Sequence, residues 1–287
     1  MPLDSIAEIL ASCSERNLAF WQVVLEADVE KRQVSAEASF EKMRATWRAM
    51  LDSAESYDGG LRSVSGLSGG DGELMRRYAA GGSALGGGYI SEVIATALCV
   101  GESNACMRKI VAAPTAGACG VLPAVLVPLY RRGEREEDIL RALYTAAGIG
   151  AVINSRASIS GAAGGCQAEI GSASAMAAGA LAQLRGGGPE QTANALAMAL
   201  KNLMGLICDP VAGLVEVPCV KRNVIGAVNA VSCADMALAG ITSRIPADEV
   251  IDCMGIVGER LPREFRETAR GGLAATPTGR AAWKQLK

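Results

Sequence analysis

The 287-residue chain contains no histidine. That excludes a Ser-His-Asp triad, a Cys-His dyad, an H-E-x-x-H zinc site and any other chemistry that relies on imidazole. Aromatic residues make up only 4% of the chain, too few for base-stacking platforms. Basic residues do not outnumber acidic ones: 28 against 30 gives a net charge of −2. With no positive footprint to offset phosphate, nucleic acid is not an expected partner. No Gly-Lys dipeptide occurs, so there is no Walker A loop, and Gly148-Ile149-Gly150 is followed by Ile153 rather than the glycine of a dinucleotide fingerprint. The longest apolar run, Val121 to Tyr130, is short against the roughly 18 residues of a membrane span and contains Pro123 and Pro128. It reads as a core segment. Met1 to Leu25 carries Asp4, Glu8, Glu15 and Arg16 and lacks the apolar stretch of a signal peptide. A reducing, cytoplasmic setting is therefore expected.

Half of the residues are apolar, enough for a sizeable core. Up to residue 57 the pattern is that of amphipathic helix. Leu18, Trp21, Val24 and Leu25 recur at helical spacing, as do Phe40, Met43, Trp47, Met50 and Leu51. Residues 58–88 are crowded with glycine and serine and read as a loop. It is either a plain connector or a structured turn that offers backbone N–H groups to an anion. From residue 89 to 287 the chain is rich in Ala, Gly, Ser and Met. Helical windows run over Asp138 to Val152, from Pro189 to Leu203, and over Asn229 to Ile241. No strand-helix repeat is evident. The expected fold is all-α: an N-terminal helical arm (1–57), a loop (58–88) and a helical catalytic body (89–287) built from closely packed small residues. Arg270 to Lys287 reads as loop plus a short end.

Nine cysteines stand out in a chain expected to stay reduced. Cys13, Cys99, Cys233 and Cys253 fall in apolar or helical stretches, where a small buried hydrophobe is expected. Cys106 and Cys119 are similar. Three others sit in turns marked by glycine or proline: Gly164-Gly165-Cys166, Cys208-Asp209-Pro210 and Pro218-Cys219. Their spacing matches no C-x-x-C signature, so by spacing alone metal ligation and inert burial both remain open.

Several long segments resemble one known family. They are Ser103-Asn104-Ala105-Cys106-Met107, Ala112 to Gly120, Ser158 to Glu169, and Leu206 to Cys219 with Lys221-Arg222-Asn223 after it. The Ser65-Gly66-Leu67-Ser68-Gly69-Gly70 loop and the stretch from Gly272 to Gly279 fit as well. Together they are similar to the α chain of the iron–sulfur L-serine dehydratases (L-serine ammonia-lyases). The resemblance implies that Cys166, Cys208 and Cys219 ligate a [4Fe–4S] cluster. It further implies a helical catalytic domain that turns L-serine into pyruvate and ammonia, works with a β domain (fused or a separate β chain) and forms an oligomer. A cysteine near the C-terminus, present in some fused relatives, has no counterpart in Trp283 to Lys287. Gly101-Glu102 and Asn154-Ser155-Arg156 depart locally from the family pattern.

With no histidine, Lys201 and Asp209 are the expected candidates for the catalytic proton acceptor. Ser68, Ser103, Asn104 and Thr115, with backbone amides near Ser68 or Gly117, are the expected donors to the substrate carboxylate. Related readings are a cysteine desulfidase, a threonine dehydratase, or a non-catalytic helical subunit that binds a partner.

Overall fold

A computed structural model describes residues 4–286. Helices dominate, and the only β-type pairing among these residues is an isolated parallel bridge between Cys208 and Arg266. The α-helices are α1 (Ile6–Arg16), α2 (Phe20–Arg32), α3 (Ala36–Glu55), α4 (Asp71–Ala80), α5 (Gly87–Ala105), α6 (Val121–Arg131), α7 (Glu136–Arg156), α8 (Gly161–Gly164), α9 (Ser172–Leu184), α10 (Pro189–Asn202), α11 (Cys219–Leu238), α12 (Ala247–Arg260) and α13 (Pro277–Gln285).

Helix α9 lies at the centre, with every residue from Ser172 to Ala182 buried. Its sequence, SASAMAAGALAQL, has almost no bulk on any face, so neighbouring helices can close in on it all round. Helices α6, α7, α10 and α11 pack around it. The hydroxyl of Ser174 donates to the Gly226 carbonyl at 2.7 Å, and Asn229 donates to Ser174 Oγ and to the Ala199 carbonyl, both at 2.9 Å. Three helices are thereby stitched across an otherwise apolar core by satisfied polar groups. Gly226 permits the crossing of α11: a Cβ there would stand 2.9 Å from Ile170 Cγ2 and 3.1 Å from Val121 Cγ2.

Helices α1–α3 are not a detached arm. Ile6, Ile9, Phe20 and Trp47 belong to the same buried cluster as α6, α7, α9 and α10. The first turn of α1 is capped from afar, because Ile6 and Ala7 N–H donate to Asp248 at 2.9 and 3.0 Å. Val121 to Leu129 is buried, as expected of a core segment, and lies in α6. Among the described residues no helix is long and apolar enough to cross a membrane.

Three expectations change. The glycine- and serine-rich segment contains a helix, α4. Its loop does present N–H groups to an anion, but the anion is internal: Gly69, Asp71 and Gly72 N–H donate to the buried Glu102 carboxylate at 3.2, 2.9 and 3.1 Å. The C-terminal stretch also ends in a helix, α13. Thr276 Oγ1 caps it by accepting from Gly279 N–H at 3.1 Å, and Pro277 occupies its first position. Cys253 is exposed rather than buried.

Candidate functional site

Cys166 stands where α8 gives way to a π-helical turn, Gln167–Gly171, that runs into α9. A widened turn of this kind commonly marks a functional position. Gly165 makes the approach possible. Its φ of +75° suits glycine, and a Cβ would lie 3.0 Å from the Leu206 carbonyl. The buried Gln167 fixes the turn, since its side chain accepts from Gly205 N–H at 2.8 Å and donates to the Met254 carbonyl at 3.2 Å.

Cys208 is held by backbone on both sides. Its N–H donates to the Phe265 carbonyl at 2.8 Å, and its carbonyl accepts from Glu267 N–H at 2.9 Å. Cys219 opens α11, after a cis Val217–Pro218 peptide bond. Asn223, almost fully buried, donates to the Cys219 and Gly117 carbonyls, both at 2.9 Å, and accepts from Gly120 N–H at 2.8 Å. One side chain thus ties the Thr115–Gly120 turn to the first turn of α11.

These segments bring Cys166, Cys208 and Cys219 into one neighbourhood, all buried and all unpaired by disulfide. Each thiol lies within electrostatic range of the other two. Burial is the main reason all three resist ionising. The Cys166 thiol is pushed up to about 11, with Arg222 pulling the other way and Glu169 adding to the rise. Cys219 reaches about 12 through burial, then Cys166 and Glu169. Cys208 is raised by burial, then by Cys166, Glu169 and Cys219.

Two charged residues that composition and spacing did not single out complete the pocket. Arg222 donates to the Ile207 carbonyl at 2.7 Å and to Asp209 Oδ1 at 2.8 Å. It also bonds Cys166, and although burial works against its charge, Cys166 and Asp209 keep the guanidinium protonated. Glu169 lies one turn beyond Cys166. Its Oε1 accepts from Thr115 Oγ1 at 2.7 Å, and its Oε2 faces the Cys208 thiol at 3.9 Å. Burial pushes the Glu169 carboxyl up, Thr115 opposes this, and Glu267 adds to the rise. The position of Glu169, three residues after Cys166, was the available sequence signal. Periodicity treats it only as a helix-face carboxylate.

Of the remaining expected residues, Thr115 reaches the pocket through Glu169. Asn104 donates to the Ala116 carbonyl at 3.2 Å, beside Thr115. Ser68, in the adjoining loop, and Ser103, near the end of α5, are buried, and Gly69, Glu102 and Ser103 line a small space there. That loop is joined to the cysteine segment by the buried Glu216, whose Oε2 accepts from Ser63 Oγ at 2.5 Å and from Ser65 Oγ. The two expected proton acceptors are both committed elsewhere. Asp209 Oδ1 pairs with Arg222 and Oδ2 accepts from Leu273 N–H at 2.8 Å. Lys201 donates to the Ser243 carbonyl at 2.6 Å and to Ser243 Oγ at 3.2 Å, holding the turn before α12. A cleft of about 790 Å³ lies between α2, α3 and α7 and contains none of these residues.

Comparison with known proteins identifies the family. Residues 15–274 match the family model described as serine dehydratase alpha chain. The chain is 46% identical to a probable L-serine dehydratase alpha chain of Bacillus subtilis, over 98% of this chain and 94% of that one. It is 41% identical to the L-serine dehydratase alpha chain of Peptoniphilus asaccharolyticus over 96% of each. L-serine dehydratase 1 of Escherichia coli is 37% identical over 95% of this chain, which accounts for only 62% of that longer protein. By its sequence over nearly its full length, this chain belongs to the serine dehydratase alpha chain family.

Proposed function

We propose that the chain is the α subunit of an L-serine dehydratase, and that Cys166, Cys208 and Cys219 hold a [4Fe–4S] cluster. The observation that carries this is that three distant motif cysteines are all buried and lie within electrostatic range of one another. The donor set supports it chemically. Three buried thiols that repel one another as thiolates call for a strongly positive partner. Among the described residues no group of three or more His, Cys, Asp or Glu is placed to hold a metal ion. A larger, all-thiolate inorganic core suits such a set. Bound there, the cluster supplies a Lewis-acidic iron without a protein ligand, which lowers the cost of losing the β-hydroxyl of serine.

The chain's own residues prepare the pocket. Arg222 offsets negative charge at Cys166, and Asp209 fixes Arg222 while anchoring the backbone at Leu273. Buried walls exclude bulk water, which strengthens every charge interaction inside. Ser68, Ser103, Asn104 and the backbone of the Thr115–Gly120 turn supply donors to the substrate carboxylate. Serine loses its Cα proton and its hydroxyl as water. The resulting enamine tautomerises and hydrolyses to pyruvate and ammonia. The free thiols fit a reducing, cytoplasmic location. The alpha-chain names of the relatives fit a β chain as partner.

The test is anaerobic co-purification with a candidate β chain, followed by iron and pyruvate assays. Wild-type protein retains iron and makes pyruvate from serine. Cys208→Ser loses both; if it keeps both, the ligand set is wrong.

A further inference from the structure

We propose that Glu216 is a positioning residue: it sets the 63–68 turn so that the Ser68 hydroxyl meets the substrate carboxylate. The proposal rests on reading Ser68 as a substrate donor in a dehydratase site. Ser68 is only 7% exposed, yet its hydroxyl has no hydrogen-bond partner among the described residues. Its backbone is fully committed. Ser68 N–H donates to Ser63 Oγ at 3.2 Å, and the Ser68 carbonyl accepts from Ser63 N–H at 3.0 Å. A buried hydroxyl left open on a fixed backbone costs stability until a ligand completes it.

The turn is fixed from outside itself. Ser63 Oγ donates to Glu216 Oε2 at 2.5 Å, across 153 positions of sequence, and Ser65 Oγ donates to the same oxygen. Both hydroxyls also accept: Ser63 Oγ from Ser68 N–H, and Ser65 Oγ from Leu67 N–H at 3.1 Å. A hydroxyl whose proton is committed to Glu216 must turn its lone pairs elsewhere. One buried oxygen therefore aims both hydroxyls, and through them holds the backbone at Leu67 and Ser68. Glu216 stands three residues before Cys219, and its carbonyl accepts from Val220 N–H at 2.9 Å in the first turn of α11. The far end of the loop returns to the same helix, where Lys221 pairs with Asp71 at 2.8 Å. The loop is thus tied to the chain on both sides of Cys219. Glu216 needs only to accept at Oε2, so an amide oxygen can replace it. A contact to the substrate carboxylate, a group the reaction leaves intact, stabilises ground and transition states alike, and its loss raises KM rather than lowering kcat.

The test is a double-mutant cycle on the anaerobically loaded holoenzyme with its β chain, read as KM and kcat for L-serine, iron content, and amide hydrogen exchange across the loop. Glu216→Ala keeps its iron, raises KM about tenfold and changes kcat by about twofold at most. Its Leu67 and Ser68 amides exchange faster than in wild type. Glu216→Gln restores both KM and the slow exchange. Ser68→Ala raises KM about tenfold with the loop amides unchanged, and the double variant rises no further, because Glu216 acts through Ser68. A merely structural role would instead reduce the amount of folded enzyme, lowering kcat and leaving KM alone. Should Glu216→Ala fail to fold, Ser65→Ala carries the test, since it cuts one of the two ties and raises KM by a smaller factor that again vanishes beside Ser68→Ala. The proposal is overturned if KM stays within about twofold of wild type in Glu216→Ala, if Glu216→Gln is as impaired as Glu216→Ala, or if the effects of Glu216→Ala and Ser68→Ala multiply to about a hundredfold. Loss of iron in Glu216→Ala overturns it too, because the residue then supports the cluster. A wild-type holoenzyme that holds no iron and makes no pyruvate defeats the dehydratase reading itself, and the proposal falls with it.

Discussion

At the scale of single residues, buried carboxylates organise this molecule, and each has a different task. Glu102 accepts from three backbone N–H groups and from the Tyr57 hydroxyl, so it folds the glycine-rich loop onto the start of α4. Removing it leaves several buried donors unpaired. Glu102→Ala is expected to lower unfolding free energy by about 3 kcal/mol, read from urea melts. Asp209 pairs with Arg222 across two segments that flank the cysteines. Its side chain is almost fully buried, so its loss strands a charge rather than exposing one to water. Asp209→Ala is expected to cost about 3 kcal/mol in the same assay, whereas Asp209→Ala stability equal to wild type would refute a structural role for the pair. These roles were hidden in the sequence because a carboxylate's partners lie 13 to 64 positions away. Asp209 therefore reads as readily as a catalytic acid or base.

Among elements, close helix contact is the main theme, and glycine is what allows it. Gly120 begins α6 where a Cβ would meet the Ala97 carbonyl of α5 at 2.9 Å and Asn223 Oδ1 of α11 at 3.0 Å. Neither neighbour is a flexible side-chain tip. Gly120→Ala is expected to cost about 2 kcal/mol by overpacking, seen as a lower urea midpoint, and to disturb the Asn223 link to Cys219. Helices with clear punctuation were legible in advance: α10 begins at Pro189 as its sequence signals, and α7 extends the Asp138–Val152 window by a turn or less at each end. Helix α13 carried the same kind of signal in Thr276-Pro277. Its neighbouring glycines outweighed it in the sequence reading. Helix α4 was masked in the same way, because only Gly72 of it is buried and its N-terminus is stabilised by Glu102 from α5, a contact no local pattern contains.

For the whole molecule, burial of neutral thiols predicts a dependence on pH. Away from Cys166, Cys208 and Cys219, burial pushes Cys99 and Cys119 up to about 12 and Cys233 up to about 11. In the unfolded chain such thiols ionise from about pH 8.5. The folded state therefore holds protons that the unfolded state releases, and stability falls as pH rises from about 9 towards 11–12. Urea midpoints measured anaerobically from pH 8 to 10.5 should decline, and Cys119→Ala should flatten the slope. An unchanged slope in that variant would show that Cys119 ionises as readily in the fold as outside it. Helices α1–α3 share one buried core with α6, α7, α9 and α10.

Composition and pattern were sufficient to establish an all-α chain, to exclude imidazole chemistry, and to mark three cysteines in turn contexts. These are local properties: helical period, capping residues and residue type act over a few positions. What they could not decide is which distant groups meet. Cys166 is brought to Cys208 and Cys219 by a π-helical turn, a backbone bridge at Phe265–Glu267 and the side chain of Asn223. The same packing commits Lys201 and Asp209 to structural partners and leaves the Glu169 carboxylate without a cation. Whether a charged side chain is free or spent depends on neighbours assembled from the whole chain, and that is a property of the tertiary structure alone.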